Sequence, residues 1–438
     1  MTDRKTTLVY VLARDGTPLM PCEPVIARLL LKQGRAKVKR REPFTIKLLY
    51  ETTHYTQHLT LGIDTGSGTF GAAVVRQSGA VVYASEVTVR NDVHDRMERR
   101  KKYRRSRRSR KTRYRKPRFK NRRNSIRKDH FSPTMVSKLH AHEKEIAFVR
   151  SILPITEFVI EGGTFDVHLL KNPALHNPKV RPWGYQKGPQ YGFENVKAAV
   201  RARDHHTCQL CGKTGGKLQV HHIQPRSQGG TDISENLVTL CAKCHAAVHA
   251  GTLKGQKKKK AAELSGRPAS GLKHATQMNS IRKQLLQNHP EAKETFGYVT
   301  SANRLALGLN KDALSFPHAV DAAIIAAGGK SPVWHSNTVL RKVCIPEGDA
   351  QQTQGMRSEQ KLTTGKVMGF RKFDKVRYSG REYFLKGRMS TGYGILMDID
   401  GRKQKFDYLL RGQRTPKLSN MKRLTARTSW MTQTCLIQ

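Results

Sequence analysis

LTLGIDTGSGTFGAAVV, residues 59–75, sets two apolar runs around a glycine-rich turn and closes the first run on a carboxylate, Asp64. Leu59 to Ile63 and Phe70 to Val75 read as strands, because β-branched and apolar residues run unbroken between turn residues. Ala80 to Val89 reads as a third strand after a short glycine turn. Further on, Ser132 and Pro133 have the chemistry of an N-cap and first helical position. The helix they open is expected to run to about Ile152, with Val136, Leu139, Ile146 and Val149 on one face. ITEFVIEGG, residues 155–163, is a short buried strand that also ends on an acid, Glu161. SFPHAVDAAIIAAGG, residues 315–329, is a close-packing helix from about Ser315 to the Gly328–Gly329 stop, with His318 and Asp321 three apart on one face.

Three strands, a helix, a strand and a late helix with polar ligands are what a ribonuclease H-like α/β fold requires. Taken singly, Asp64, Glu161 and Asp321 have the ordinary uses of acids in turns and ion pairs. As an ordered set they are candidates to converge from distant parts of the chain. Two hard divalent ions on such carboxylates activate a water and stabilise the leaving oxygen of a phosphodiester.

The 438 residues allow several domains. Eighty-one Lys and Arg against 33 Asp and Glu give a formal net charge of +48, which argues against a small-molecule enzyme and for a polyanionic partner. A binder without chemistry has the same charge, so activity must be argued from motifs. No apolar run approaches the roughly 20 residues of a membrane span, and the N-terminus lacks a signal-peptide pattern. A soluble protein is expected, cytoplasmic and with no membrane partner. Arg96 to Lys128 carries 20 Lys or Arg in 33 residues, with Glu98 its only acid. Without proline before Pro117 it can form a helix of about six turns, stabilised once phosphates neutralise its like charges. A disordered basic tail is the alternative. The candidate phosphate contacts are Arg99, Arg100, Arg104, Arg105, Arg107, Arg108, Arg110, Arg113 and Arg115, and Tyr103, Tyr114 and Phe119 are available for stacking.

Four of the seven cysteines form two CxxC pairs, Cys208 with Cys211 and Cys241 with Cys244. Their spacing suits one tetrahedral thiolate zinc site, and Cys22, Cys344 and Cys435 read as ordinary thiols. QVHH, residues 219–222, lies between the pairs, and ENLVTLCAKCHAAVH, residues 235–249, runs through the second of them. Histidine, asparagine and histidine recurring in order inside a zinc frame resemble an HNH, or ββα-metal, nuclease module. That resemblance makes His222 the general base, His221 and His245 ligands of the catalytic metal, and Asn236 the residue that holds the loop. A neutral imidazole suits the base role near pH 7. Histidines joining the cysteines in one structural knuckle are the alternative, but four thiolates already fill a tetrahedron. His249, one turn past His245, is expected to be structural or exposed.

An HNH module inserted in a split nuclease fold, with an arginine-rich helix after the first catalytic strand, resembles the IscB family of transposon-associated RNA-guided DNA nucleases, relatives of the type II CRISPR effector. PLMP at Pro18 to Pro21 matches the family's small N-terminal domain. The likeness spans nearly the whole chain. It implies a PLMP domain at 1–56, RuvC segments at 57–92, 131–188 and 256–336, a bridge helix at 93–130, an HNH domain with its four-cysteine zinc site at 189–255, and a C-terminal β domain at 337–438 that reads a motif beside the target. Residues 366–410 read as a small β-barrel with glycine turns, and Gly255 to Gly271 as a flexible basic linker. The RuvC set becomes Asp64, Glu161, His318 and Asp321. The resemblance further implies Mg²⁺ or Mn²⁺ at the catalytic sites, structural Zn²⁺, and one omega-type guide RNA per protein. A double-stranded DNA target is implied too, cut by HNH on the paired strand and by RuvC on the displaced one, in a prokaryotic cytoplasm at the nucleoid. One position departs: His221 stands where the CRISPR relative carries an acid. An RNA-independent homing or branched-DNA endonuclease would use the same two sites.

Overall fold

The computed structural model describes residues 7–109, 131–163, 192–228, 230–265, 273–334, 336–346, 366–406 and 415–437. The chain divides into two compact units, Met1–Gly163 with Ser280–Gln438, and Thr164–Asn279. The first unit is therefore interrupted by the second.

The first unit begins with β1 (Val9–Leu12), β2 (Pro18–Cys22), α1 (Pro24–Lys32), β3 (Ala36–Arg40) and β4 (Thr45–Leu48), a sheet of order β2-β1-β4-β3. PLMP forms most of β2. Val9, Val11, Ala27, Ile46 and Leu48 bury a small core of their own.

The central sheet grows from the stretch that opens on Leu59. β5 (Leu59–Asp64), β6 (Thr69–Arg76) and β7 (Ala80–Thr88) form an antiparallel meander, and β8 (Glu157–Glu161) lies parallel to β5 on its other side. Every residue of β5 is buried, as expected for a central strand covered on both faces. α2 (Val93–Ser109) and α3 (Pro133–Arg150) lie between β7 and β8 in the chain, and Ser132 caps α3 by accepting from the Met135 amide.

The second unit holds α4 (Val196–Arg203), β9 (Leu218–His222), β10 (Leu237–Cys241), α5 (Ala242–His249) and α6 (Gly255–Ser265). The helix α6 corrects the expected flexible linker. Lys, Ala, Glu and Leu are good helix formers, and Ala261 and Leu264 pack against the core of this unit.

α7 (Lys273–Asn288) leads back into the first unit, followed by β11 (Lys293–Thr295), α8 (Gly297–Ala306), α9 (Pro317–Ala327), β12 (Val333–Trp334) and β13 (Thr338–Cys344). The central sheet runs β11-β8-β5-β6-β7-β13-β18, with β18 (Trp430–Leu436) at one edge and β12 also paired to β7. α9 buries every residue from Ala319 to Ala327. It can lie flat on the sheet because Gly62 and Gly71 present no side chain: a Cβ at Gly62 would stand 2.4 Å from the Ala322 carbonyl oxygen, and one at Gly71 1.8 Å from that of His318.

α3 covers the opposite face, with the His142 ring stacked on Phe70 at 4.0 Å. Its buried side is more polar than the apolar periodicity suggests. Val136 and Leu139 are half-buried, while Lys138, His142 and Glu145 are buried beside Ile146 and Val149. Glu145 is kept there by Lys342, whose Nζ lies 2.8 and 2.7 Å from its two carboxylate oxygens, and by the Tyr83 and Ser85 hydroxyls.

β14 (Lys375–Tyr378), β15 (Arg381–Arg388), β16 (Gly394–Met397) and β17 (Lys422–Thr425) make an antiparallel sheet of order β16-β15-β14-β17. Among the described residues this sheet is open. β13 and β18, which the expected C-terminal domain included, instead pair with each other and extend the central sheet.

Candidate active sites

The first site lies where β5, β8 and α9 meet. Asp64 ends β5, Glu161 ends the parallel strand β8, and the close seating of α9 brings His318 and Asp321 to them. His318 Nδ1 is 2.6 Å from Asp64 Oδ2. Burial pulls the proton affinity of His318 down, but its hydrogen bond to Asp64 and that carboxylate's charge outweigh it, for a net rise. Glu161 is pushed up to about 7, first by burial and then by the charge of Asp64, with a smaller push from Asp321. Those influences place the three acids within one another's field.

Sequence reasoning missed the cations around them. Arg282 reaches Glu161 at 3.6 Å and also donates to the Thr65 hydroxyl and the Gly163 carbonyl. Thr300 donates to Glu161 at 3.3 Å. Asp321 is held at both oxygens, by Arg304 at 2.6 Å and Lys311 at 2.9 Å. No local pattern marks these residues, which come from α7, α8 and the turn after it. Glu161, which holds its proton tightly despite these cations, forms with Asp64 and Asp321 a donor set suited to hard divalent ions.

The second site is built on the β9–β10 hairpin and α5. Neighbouring strand residues point to opposite faces, so His221 and His222 serve different partners. His221 stacks edge-on with His245 and His249 at centroid separations of 5.0 Å each, and these two, one helical turn apart, lie 4.6 Å from each other. The ligand nitrogens of the three rings all lie within 4.8 Å of one another. His249 is solvent-exposed yet belongs to this cluster, which its position after His245 did not reveal. Burial, and then the neighbouring imidazoles, pull His221 down to about 4. It is thus neutral, the form that binds a metal.

His222 points elsewhere, with Nε2 2.6 Å from Asp232 Oδ1. Asp232 is fixed by Arg226, whose Nη2 reaches both of its oxygens at 2.6 and 2.5 Å. Neither partner was singled out in the sequence. Asn236, buried to 1% exposure, ties the loop by accepting from the Gln224 amide and donating to the Gln224 and Thr231 carbonyls.

Beside this site the sulfurs of Cys208, Cys211, Cys241 and Cys244 lie within 4.8 Å of one another. Cys211 and Cys241 are 3.7 Å apart, close to the edge of about 3.8 Å for a tetrahedron with Zn–S of about 2.3 Å. The four thiols fit a structural zinc.

α2 presents Arg99, Arg100, Arg104 and Arg105 to solvent. Arg107 and Arg108 continue its backbone, while Arg110, Arg113 and Arg115, with Tyr114 and Phe119, lie outside the described residues.

Residues 9–188 match the family model described as RRXRR protein, and residues 208–251 match HNH endonuclease. The chain carries an HNH endonuclease domain. Over 69 residues the chain is 35% identical to anaredoxin of Nostoc sp. strain PCC 7120, a match that covers 16% of the chain and 90% of anaredoxin. Over 62 residues it is 37% identical to the type IV methyl-directed restriction enzyme EcoKMcrA of Escherichia coli strain K12, covering 12% of the chain and 22% of that enzyme. Streptococcus thermophilus Cas9 in complex with the GGAA PAM matches 51% of this chain and 30% of its own, at 16% identity and a TM-score of 0.36.

Proposed function

We propose that this HNH nuclease is an RNA-guided DNA endonuclease with two hydrolytic sites, one per strand. The observation that carries the reading is the presence of two independent constellations in one chain: Asp64, Glu161, His318 and Asp321 on the central sheet, and His221, His222, His245 and His249 in the inserted unit. The strand order β7-β6-β5-β8-β11, with β8 and β11 parallel to β5, supports a ribonuclease H-like, RuvC-type assignment of the first. The exposed arginines of α2 support an RNA or DNA backbone as its partner, on the reading that it is the bridge helix.

In the HNH unit, His222 takes the proton of the attacking water at Nδ1, the ring nitrogen not engaged by its carboxylate partner. Asp232 sets the orientation of that ring, and Asn236 holds the loop that carries Asp232. His221, His245 and His249 would hold the catalytic divalent ion, and the four cysteines a structural Zn²⁺. On the sheet, Asp64, Glu161 and Asp321 would hold Mg²⁺ or Mn²⁺, with His318 positioned by Asp64 to move a proton. Such ions polarise the scissile phosphate and stabilise the leaving oxygen when bound. The HNH site is assigned to the strand paired with the guide and the sheet site to the displaced strand. The C-terminal sheet is assigned to a motif beside the target.

The test is to purify the protein from cells expressing its native genomic neighbourhood, sequence the RNA bound to it, and add Mg²⁺ and a plasmid matching that RNA's variable end. Matched cutting is expected, with His222→Ala and Asp64→Ala each sparing one strand. Cleavage of a defined DNA by RNA-free protein would replace this reading with a protein-guided endonuclease, a course that the local likeness to EcoKMcrA keeps in view.

A further inference from the structure

The segment from Gly297 to Lys311 lies over the carboxylates of the sheet site. Its residue Thr300 donates to Glu161, and its residues Arg304 and Lys311 take both oxygens of Asp321. The Asp321 side chain is 3% exposed, so these two cations are its dominant neighbours. Arg304 is itself nearly buried, whereas the Lys311 side chain is 43% exposed. Gly308, at φ +68° with open space where a Cβ would be, lies between α8 and Lys311 and gives the segment a place to bend.

Charge sharpens the point. Asp64, Glu161 and Asp321 face Arg282, Arg304 and Lys311, while Glu86 accepts from the His318 amide and lies in the field of Arg341. Three acids against three permanent cations leave little net negative charge to attract two divalent ions. Such an ion approaching Asp321 also meets two like charges at contact distance, where repulsion in a partly desolvated site is strong. The balance becomes favourable only if cations leave as ions arrive. The group able to draw Arg304 and Lys311 away is a phosphate backbone entering the same site, since guanidinium and ammonium pair with phosphate as readily as with carboxylate.

The geometry points to Arg304 and Lys311 as a cationic latch. They hold Asp321 until a DNA strand enters, then transfer to its phosphates and free Asp321 for a divalent ion. The sheet site thereby assembles its metal only with the strand it is to cut. This rests on the proposed reading that Asp64, Glu161 and Asp321 hold the ions.

The test measures Mn²⁺ binding by electron paramagnetic resonance on the full protein with its co-purified RNA at pH 8, with and without a matched DNA duplex. The difference between the parent and Asp64→Ala isolates the sheet site from the histidine cluster. Lys311→Ala removes a half-exposed cation without stranding a buried charge, and Arg304→Lys keeps the charge while losing the guanidinium geometry. Without DNA, Lys311→Ala is expected to bind Mn²⁺ roughly three- to fivefold more tightly than the parent, the range of a half-exposed ion pair. Arg304→Lys is expected to shift in the same direction. With the duplex bound, the gain should vanish. Unchanged or weaker binding by both variants without DNA would overturn the latch, making the two side chains aids that orient Asp321 toward its ion. With the duplex bound, equal Mn²⁺ binding by the parent and Asp64→Ala would sink the metal assignment, and the latch with it.

Discussion

Replacing Glu161 with glutamine should stabilise the fold while abolishing the sheet site, and the stabilisation should depend on pH in a defined direction. In the folded protein the carboxyl titrates at about 7 instead of the ordinary 4.5. Its folded value is raised, so the folded state binds the proton more tightly and the charge opposes folding. This penalty is absent below about pH 4.5, grows through the interval and is complete above about pH 7. The displacement corresponds to at most about 3 kcal/mol. The 3.6 Å attraction to Arg282 is already contained in that displacement, while the residual solvent contact of the carboxylate screens the penalty, so a net gain of about 1–2 kcal/mol is expected at pH 8. The assay is thermal unfolding of the parent and Glu161→Gln in buffers without divalent ions at pH 5 and pH 8. The variant should gain about 2–5 °C at pH 8 and almost nothing at pH 5. An equal change at both pH values would refute the argument that burial and Asp64 oppose the ionised form, and so would a loss at pH 8.

Three further outcomes follow from the geometry. His249→Ala should weaken divalent-ion binding in the inserted unit by at least about tenfold, measured by Mn²⁺ titration against the parent, because it removes one of three converging imidazoles. Asp232→Asn should slow cutting by the HNH site about tenfold while leaving Mn²⁺ affinity there unchanged, read from single-turnover nicking of one labelled strand, since Asp232 touches His222 and not the cluster. Glu145→Gln should destabilise the first unit by about 3–5 kcal/mol in denaturant unfolding, because Lys342, at 1% exposure, would be left charged with its ion-pair partner gone.

The parts of these sites that local sequence marks were legible, and the parts supplied by folding were not. Asp64 and Glu161 could be found because each ends a buried apolar run at a glycine, and His318 and Asp321 because they share a face of a helix rich in small residues. The partners that set their charge, Arg282, Arg304 and Lys311, sit 121, 143 and 150 residues after Glu161 in unremarkable contexts, and only the return of the chain after the inserted unit brings them there. Asp232 was hidden for a different reason. In a loop of Thr, Asp, Ile and Ser it reads as turn chemistry, and its contact with His222 depends on how Asn236 ties that loop. α3 misled through its polar residues: the apolar positions predicted one face, but Lys342, contributed by a strand nearly two hundred residues later, makes Glu145 a core residue.

The guanidinium of Arg282 also closes a gap in the chain. Gly163 is the last residue of the first unit before the interruption and Ser280 the first after it. Arg282, two residues past Ser280, donates to the Gly163 carbonyl at 2.7 Å and to the Thr65 hydroxyl beside it. Departure and return are thus stapled together at one corner of the host fold, and the sheet on either side carries its own pairing and core. An inserted unit tethered in this way behaves as a cartridge. It can be lengthened, exchanged or trimmed to a short connector while the host keeps its shape, so the host and the inserted unit are free to change on separate schedules.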